Sequence, residues 1–256
     1  MALIRTRLRR SVTASATAIA GPRPESSDAV VSAGEVARWA QLYDAAGITE
    51  TLGLVQDSVL RIAGGDCAGV ILRRHGLASA SAIDPRAELA DQLQLDQGSG
   101  PSVPLRGAHG SVLIADTATD QRWPRWSRQV ADLGLRSVLT VPLATSASAV
   151  GALTVYAVAP NQFTTGDEAA ALLLARHAAV ALSNVVQIAD LAKAVEARHR
   201  IGQAQGVLME RFAIDADQAF AVLRRYSQDG NVKLRVVAAR LVATRILPDG
   251  PADGDS

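Results

Sequence analysis

The 256-residue sequence predicts an α+β domain joined by one long helix to an all-α bundle of three helices. Three observations support this fold class. Short segments typical of strands lie between two regions of helical spacing, which is the pattern of an antiparallel sheet flanked by helices. From about residue 165 the helical spacing continues without a Gly-, Pro- or Ser-rich linker as far as residue 200. After residue 200, only helical patterns occur.

The first domain opens with helices. EVARWAQLYDA and then ITETLGLVQDSVLRIAG place apolar residues at helical spacing, and the second pattern ends at Gly64-Gly65, as helices often do. A shorter helix begins at Asp84-Pro85, because Asp is a favourable N-cap and Pro is tolerated in the first helical turn. The segment RWSRQVADLG is a further predicted helix.

The strands of this domain are predicted from apolar runs bounded by turn residues. DCAGVILRR and GLASASA form a pair that turns at His75-Gly76, and SVLIAD is a third strand. The last two strands lie in LRSVLTVPLATSASAVGALTVYAVAP, around a loop at 146–149. We therefore expect four or five mainly antiparallel strands in one sheet.

The long helix carries a possible pairing surface where it leaves the sheet. Val185, Ile188, Ala192 and Val195 are three, four and three positions apart, which is the spacing of a coiled coil. Packing against the protein's own sheet explains the first half of the helix equally well. Beyond residue 190 a partner helix is the more natural explanation, so we expect a homodimer joined along this segment.

After residue 201 the pattern indicates three short helices. Asp215 and Gln218 resemble a capping box at the start of the second helix. Gly230 is expected to end that helix in a left-handed conformation, and Asn231 to cap the third. The residues expected to form the core of the bundle are Ile201, Ala204, Leu208, Phe212, Ala219, Phe220, Leu223, Tyr226, Leu234, Val237, Ala238 and Leu241.

Two glycines interrupt the first of these helices. Each of Gly202 and Gly206 costs a helix about 1 kcal/mol relative to alanine. The two lie on the same flank of the helix, beside the core stripe, because they are four positions apart. Close packing of a neighbouring helix explains them most simply, and close approach by a nucleic-acid backbone is the alternative.

Charge is unevenly distributed along the chain. The whole sequence has a formal net charge of +1, whereas residues 190–247 contain ten basic and six acidic residues, a net of +4. A basic surplus is compatible with nucleic acid, because Arg and Lys neutralise phosphates while Gln, Asn and Ser hydrogen-bond sugars and base edges. A tyrosine can stack on an unpaired base, although core packing explains Tyr226 as well. The candidate contacts are Arg200, Gln203, Gln205, Arg211, Arg225, Tyr226, Ser227, Asn231, Lys233, Arg235 and Arg240.

Several other functional classes are disfavoured. The single cysteine, Cys67, lies in an apparent buried strand and cannot form an internal disulfide, and the four histidines lack the spacing of metal ligands. The longest apolar run is interrupted by Arg176 and His177, so we expect no membrane span. Residues 1–33 are too polar for a secretion signal and are expected to be a disordered extension. An acidic disordered tail is expected at 248–256, and a cytoplasmic location for the protein.

The C-terminal part of the chain resembles an ANTAR domain, a three-helix RNA-binding module of bacterial antiterminators. The resemblance covers roughly residues 195–247 and is carried by IGQAQGVLM, by AF and LR in the second helix, and by NVKLRVVAARLV. It implies binding to paired RNA hairpins in nascent transcripts, which suits a dimer. Many family members carry Lys where this chain has Gln205.

The preceding part resembles a GAF sensor domain, on the segments LQLDQGSGPSVPLRG, VLIADTATDQRWPRW, GLRSVLTVPL and VGALTVYAVAPNQF. The resemblance implies a cavity between the sheet and the loops above it, with Ser102, Asp116, Arg122 and Trp123 as candidate lining residues. A structural role for the RWPRW segment is the alternative. Relatives often have Cys where this chain has Ser102, which disfavours thiol redox chemistry. The Cys and His residues needed to hold haem or bilin are not identified here, so we expect no cofactor.

These features predict a signal-responsive regulator with three working parts: a sensor at 34–184, a coiled-coil signalling helix at 185–200 and an RNA-binding domain at 201–247. We expect it to bind RNA hairpins and prevent transcription termination under the control of a signal, for which an unidentified small-molecule ligand of the GAF domain is a candidate. The alternatives are a DNA-binding transcription factor and a small-molecule enzyme with the GAF fold. The enzyme is disfavoured because no paired nucleophile and base, metal cluster or phosphate-binding loop is evident.

Overall fold

Five antiparallel strands form the sheet of the first domain, as the sequence predicts. A computed structural model describes residues 32–74, 77–103, 110–146 and 148–246. The strands are β1 (Cys67–Arg74), β2 (Leu77–Ala82), β3 (Val112–Ile114), β4 (Ser137–Ala144) and β5 (Ala149–Ala157), in the spatial order β2-β1-β5-β4-β3. Side chains alternate between the faces of a strand, so each face of this sheet carries its own core.

Helices α1 (Ala33–Trp39), α2 (Gln41–Asp44), α3 (Ile48–Ala63) and the first half of α6 (Thr165–Phe212) cover one face of the sheet. The left-handed Gly64 ends α3, as predicted. Thr164 and Asp167 form a capping box that fixes the beginning of α6. This face therefore joins the sheet directly to the long helix.

Helices α4 (Pro85–Gln97) and α5 (Pro124–Asp132) cover the other face. The Asp84 side chain caps α4, as predicted. Trp126 is fully buried, and its indole Nε1 donates a hydrogen bond of 2.9 Å to the Ala90 carbonyl, which ties α5 to α4. This contact supports the structural explanation of the RWPRW segment.

The long helix does not end at residue 200, where we expected the signalling helix to give way to the RNA-binding domain. The 48-residue α6 is continuous across the predicted boundary at 200/201, so the first helix of the C-terminal bundle is the end of α6 itself. By length and composition alone, α6 is also the one described helix that passes the test for a membrane span, contrary to our expectation from the charged interruption. This is weak evidence, because core helices pass the same test and 44% of its most apolar window is buried.

Two further helices, α7 (Ala216–Asp229) and α8 (Leu234–Thr244), complete the bundle. The predicted capping box of Asp215 and Gln218 begins α7. The fully buried core consists of Ala204, Leu208, Ala219, Leu223, Val237, Ala238 and Leu241. Ile201, Tyr226 and Leu234 pack against that core and are partly buried.

Three local predictions in the bundle are wrong. Phe212 is 51% exposed and Phe220 37% exposed, so neither is a core residue. Gly230 is right-handed, and the residue with positive φ is Asn231, at 47°. The N-cap of α8 is Lys233, not Asn231.

Some predicted features lie outside the described residues. These are the turn at His75-Gly76, nearly all of the predicted extension at 1–33 and the predicted acidic tail at 248–256.

Candidate functional sites

The two glycines of α6 face open space. A Cβ atom added to Gly202 or Gly206 would have no atom within 4 Å among the described residues. Contrary to our simpler explanation, packing of a neighbouring helix within the described part of the chain does not explain the glycines. Both positions are available to a molecule outside the chain.

Several of the predicted contact residues lie exposed on the bundle. The side chains of Gln203, Asn231, Lys233, Arg235 and Arg240 are all exposed. Lys233 stands at the beginning of α8 and Arg240 two turns later, so both cations are presented along one short helix. Since these side chains make no hydrogen bond or ion pair with the residues that the structure describes, they can reach phosphates at little cost to the fold.

Three other predicted contact residues are engaged in holding the bundle together. Gln205 Nε2 donates to the Ala216 carbonyl at 3.0 Å, and Ser227 Oγ donates to the Val232 carbonyl at 2.7 Å. Arg211 Nη1 donates to the carbonyl of Arg245 at 2.8 Å, which ties the end of α6 to the end of α8. Their substitution therefore affects the geometry of the bundle as well as any surface contact.

Two predicted arginines form ion pairs one helical turn along their own helix. Arg200 contacts Glu196 at 3.2 Å, and Arg225 contacts Asp229 at 3.4 Å. Exposed pairs of this kind contribute only about 0.3–0.5 kcal/mol. Both guanidinium groups can therefore exchange their carboxylate for a phosphate at little cost.

A second polar site lies inside the first domain, between the sheet and α4. Asp91 is fully buried, and its Oδ1 accepts hydrogen bonds from Tyr156 Oη at 2.5 Å and Gln94 Nε2 at 3.1 Å. Gln94 Oε1 in turn accepts from the backbone N–H of Ser102 at 2.8 Å. This polar chain links β5, α4 and the loop after α4, and we call it the Asp91 network.

Burial controls the charge of this network. It raises the pKa of Asp91 to about 7, against the opposing effect of the hydrogen bonds from Tyr156 and Gln94. Asp91 Oδ2 lies over Gly69 of β1, where a Cβ atom would come within 2.1 Å of it. Oδ2, Ser102 Oγ and Ser127 Oγ are buried without a hydrogen-bond partner among the described residues. Buried polar atoms of this kind are uncommon in folded proteins.

The residues that were predicted to line one pocket have different immediate partners in the structure. Ser102 is buried beside Gln94. Asp116 forms two hydrogen bonds with Arg136, at 2.7 and 2.6 Å, and this partner lowers the pKa of the carboxyl group.

The other two predicted pocket residues belong to a surface loop. Arg122 pairs with Asp120 at 2.7 Å, and its guanidinium lies 5.0 Å from the centre of the Trp123 ring. Arg122 Nη2 also donates to the Leu113 carbonyl at 2.7 Å. These contacts fix the loop between β3 and α5.

Cys67 lies in the core beneath α4 and is 2% exposed. Burial, with a smaller contribution from Asp84, raises the pKa of its thiol to about 12. The thiol is therefore uncharged at neutral pH and a poor nucleophile. Among the described residues, no group of three His, Cys, Asp or Glu side chains is placed to hold a metal ion.

Comparison with known families decides the identity of both regions. A model described as a GAF domain matches residues 45–183, and a model described as an ANTAR domain matches residues 189–242. The chain belongs to the GAF family and has the GAF–ANTAR architecture. This architecture is that of a regulator controlled by a GAF sensor.

Two solved structures are similar to this chain. The phytochrome photosensory core module of Stigmatella aurantiaca is 14% identical with a TM-score of 0.50, and the match covers 79% of this chain and 44% of that one. The free methionine-R-sulfoxide reductase of Neisseria meningitidis, in complex with its substrate, is 16% identical with a TM-score of 0.46. That match covers 66% of this chain and 98% of the reductase. No curated protein matched the chain.

Sequence reasoning missed the central residues of the GAF interior. The sequence analysis assigned Asp91 and Gln94 only to a short helix, and Tyr156 only to a strand. The available signal was their helical spacing, which places Asp91 and Gln94 on the same side of α4 as Ala87 and Ala90. Two acid or amide groups on the apolar side of a helix indicate a buried polar network.

Proposed function

We propose that the protein binds RNA hairpins through its ANTAR domain and thereby prevents transcription termination, under the control of its GAF domain. The observation that carries the proposal is the set of exposed cations Lys233, Arg235 and Arg240 within an ANTAR domain, which form no ion pair with the described part of the chain. Phosphate neutralisation by such side chains supplies most of the affinity of a nucleic-acid interface. Tyr226 is half-buried and contributes mainly to the bundle core.

The proposal includes a homodimer joined along the middle of α6. Ile188, Leu191 and Val195 are 68%, 67% and 62% exposed, which is unfavourable for large apolar side chains in an isolated chain. Ile188 and Val195 belong to the predicted pairing residues, as does the exposed Ala192, whereas Val185 is partly buried. Such a dimer would present two ANTAR domains, one for each of two paired RNA hairpins.

Control by the GAF domain requires that the signal bind one arrangement of the dimer better than another. The Asp91 network is the polar site through which a small molecule would act, since Asp91 Oδ2 and the hydroxyl of Ser102, whose backbone N–H joins the network, are buried without partners among the described residues. We propose a regulatory and non-enzymatic protein of the cytoplasm, where nascent transcripts are found.

The test is a charge reversal on α8. The variant Lys233→Glu with Arg240→Glu should weaken binding of a tandem-hairpin RNA and reduce the salt dependence of the affinity by about 1–2 in logarithmic slope. Arg61→Glu is the control, because Arg61 is an exposed cation of the GAF domain. Unchanged RNA affinity in the double variant would remove α8 from the interface.

A competition experiment separates RNA from DNA. Unlabelled hairpin RNA should displace the labelled hairpin, while duplex DNA of equal charge should not. Stronger displacement by the duplex would instead identify a DNA-binding transcription factor.

A further inference from the structure

One short segment of the GAF domain is strongly basic, although the domain as a whole is not. Residues 45–183 contain ten arginines, no lysine and twelve acidic residues, a net of −2. The seven residues RWPRWSR at 122–128 contain three of these arginines and no acid. The segment covers the end of the loop after β3 and the beginning of α5. Positive charge is therefore concentrated at one place on this domain.

Helix α5 presents two of the three arginines on its outer side. The buried side chains of the helix are Trp126, Ser127 and Val130. At 100° per residue, Arg125 and Arg128 both lie within about 35° of the line opposite to these buried residues. Both arginines are exposed. Because they are three positions apart, their side chains are neighbours, with about 5–6 Å between the Cβ atoms.

The two outer arginines differ from Arg86 and Arg136, each of which forms an ion pair within the domain. Arg125 and Arg128 form no ion pair with the part of the chain that the structure describes. The single acid of α5, Asp132, lies at the far end of the helix and pairs with neither of them. An anion from outside the chain can therefore bind both guanidinium groups without displacing a carboxylate.

The helix that carries these cations is held firmly against its neighbour. The indole of Trp126 donates to the Ala90 carbonyl of α4. Gln97 Nε2, at the end of α4, donates to Gln129 Oε1 of α5 at 2.7 Å. A binding surface on a fixed backbone loses less conformational freedom when its ligand binds than a mobile loop does.

A planar group lies next to the two cations in the sequence. The guanidinium of Arg122 lies 5.0 Å from the centre of the Trp123 ring, and the Arg122 side chain is 50% exposed. Asp120 pairs with this guanidinium and compensates its charge. Unpaired bases stack on guanidinium planes and aromatic rings in complexes of single-stranded RNA. Cations beside a stacking group suit unpaired RNA better than an acidic peptide, which has no bases to stack.

We propose that Arg122, Trp123, Arg125 and Arg128 form a second RNA-binding surface, which binds unpaired nucleotides next to the hairpins. We call it the α5 surface. Arg125 and Arg128 each neutralise a phosphate, while a base stacks on the guanidinium of Arg122. The inference rests on the proposed function, because an RNA already held by the ANTAR domain meets the α5 surface at a high effective concentration.

Titration of the full chain with three RNAs tests the α5 surface. They are tandem hairpins alone, the same hairpins followed by about 12 unpaired nucleotides, and the unpaired segment alone. The wild type should bind the extended RNA at least about tenfold more tightly than the bare hairpins.

The variant Arg125→Glu with Arg128→Glu should lose this advantage and leave the affinity for bare hairpins unchanged. With the extended RNA, its slope of log affinity against log salt concentration should be smaller by about 1.4, for two lost phosphate contacts. Glutamate in the first turn of α5 is favourable, so we expect the variant to fold. The neutral variant Arg125→Gln with Arg128→Gln should lose the advantage as well.

Arg61→Glu is the matched control for the single variants Arg125→Glu and Arg128→Glu. Arg61 is exposed and is the only basic residue of α3, which covers the opposite face of the sheet. Its reversal changes the net charge of the domain by the same amount. The control should keep the full advantage for the extended RNA, whereas each single α5 variant should lose part of it.

The outcomes separate the α5 surface from the proposed function. An equal advantage in the wild type and the double variants, or no advantage in the wild type, would overturn the α5 surface and leave hairpin binding intact. Binding of the unpaired segment that depends on Arg125 and Arg128, without any binding of bare hairpins, would support the α5 surface and overturn the proposed function. Displacement of the unpaired segment by polyglutamate as readily as by polyuridine of equal charge would overturn RNA as the ligand and identify an acidic protein segment instead.

Discussion

The GAF and ANTAR regions differ in how their cores are built. The GAF domain has two cores, one on each face of its sheet, and buries large side chains such as Trp39, Trp126 and Tyr156. The described core of the ANTAR bundle consists of seven fully buried residues, all of them Ala, Leu or Val. A small domain buries a smaller fraction of its surface and is correspondingly less stable. The ANTAR bundle therefore depends on α6, which is rooted in the more stable domain.

The largest expected effect, and the strongest test of this difference in stability, comes from opening a cavity in each core. Leu208→Ala and Leu153→Ala remove the same side chain at fully buried positions, at a cost of about 2–5 kcal/mol each. We expect Leu208→Ala to unfold the bundle and abolish RNA binding, while Leu153→Ala destabilises the GAF domain without unfolding it. Hydrogen exchange of each region provides the measurement. An equal loss of hydrogen-exchange protection in the GAF and ANTAR regions would contradict the proposed difference in their stability.

The second prediction concerns pH and the Asp91 network. The folded-state pKa of Asp91 is raised from 3.8 to about 7, so between these values the folded protein binds a proton that the unfolded chain releases. The contribution of Asp91 to the free energy of unfolding therefore falls as pH rises through this window, by at most about 1.4 kcal/mol per pH unit.

Asp91→Asn provides the comparison, since the amide does not titrate. Relative to the wild type, this variant should become progressively more stable between pH 4 and 7 in urea unfolding followed by tryptophan fluorescence. A difference that is constant with pH would show that Asp91 is charged throughout this range.

The third prediction concerns the connection between the two regions. Arg74 at the end of β1 forms an ion pair with Asp190 of α6, beyond the last α6 residue buried in the GAF core. The pair is partly exposed, so we expect it to contribute about 1 kcal/mol or less to stability. Arg74→Gln or Asp190→Asn should nevertheless increase hydrogen exchange in residues 184–200.

The pair of Arg200 and Glu196 is the matched control, because it lies on the same helix without joining two elements. Glu196→Gln should leave the exchange rates unchanged. The double variant Arg74→Asp with Asp190→Arg swaps the two charges and should restore slow hydrogen exchange. If its hydrogen exchange is as fast as that of the single variants, then direct pairing of the two charges does not hold the helix in place.

The smallest expected effect is at Ser127, whose Oγ is buried without a partner among the described residues. Removing an unsatisfied hydroxyl is close to neutral or slightly stabilising. Ser127→Ala should therefore change the free energy of unfolding by less than about 0.5 kcal/mol. A loss greater than about 1 kcal/mol in chemical denaturation would mean that the hydroxyl makes a hydrogen bond after all.

Sequence reasoning succeeded where the signal was local. Apolar periodicity located the strands and helices, and the capping box at Asp215 is confirmed because its two members are three positions apart. It failed where distant segments decide the outcome. Phe212 follows the helical spacing of Ala204 and Leu208 but lies at the last residue of α6 and is left half exposed.

The candidate sites show the same difference between features with a local sequence signal and features that depend on distant segments. The exposed cations of the ANTAR region were found from local charge, although the binding role of each remains a prediction. The Asp91 network was missed because its partners, Asp91 and Tyr156, are 65 positions apart and meet only in the folded domain. The sequence showed the two glycines of α6, but it could not predict their surroundings, because these depend on which segments pack beside the helix.

Because α6 is continuous, a small tilt of the helix at one end produces a large displacement at the other. From Leu182, its last residue in the GAF core, to its end at Phe212 the helix is about 45 Å long. A tilt of only about 5° at Leu182 would displace the far end by about 4 Å, which exceeds the length of a hydrogen bond. A rearrangement too small to be conspicuous in the GAF domain would thus be enough to bring the proposed RNA-binding surfaces into or out of register with an RNA target.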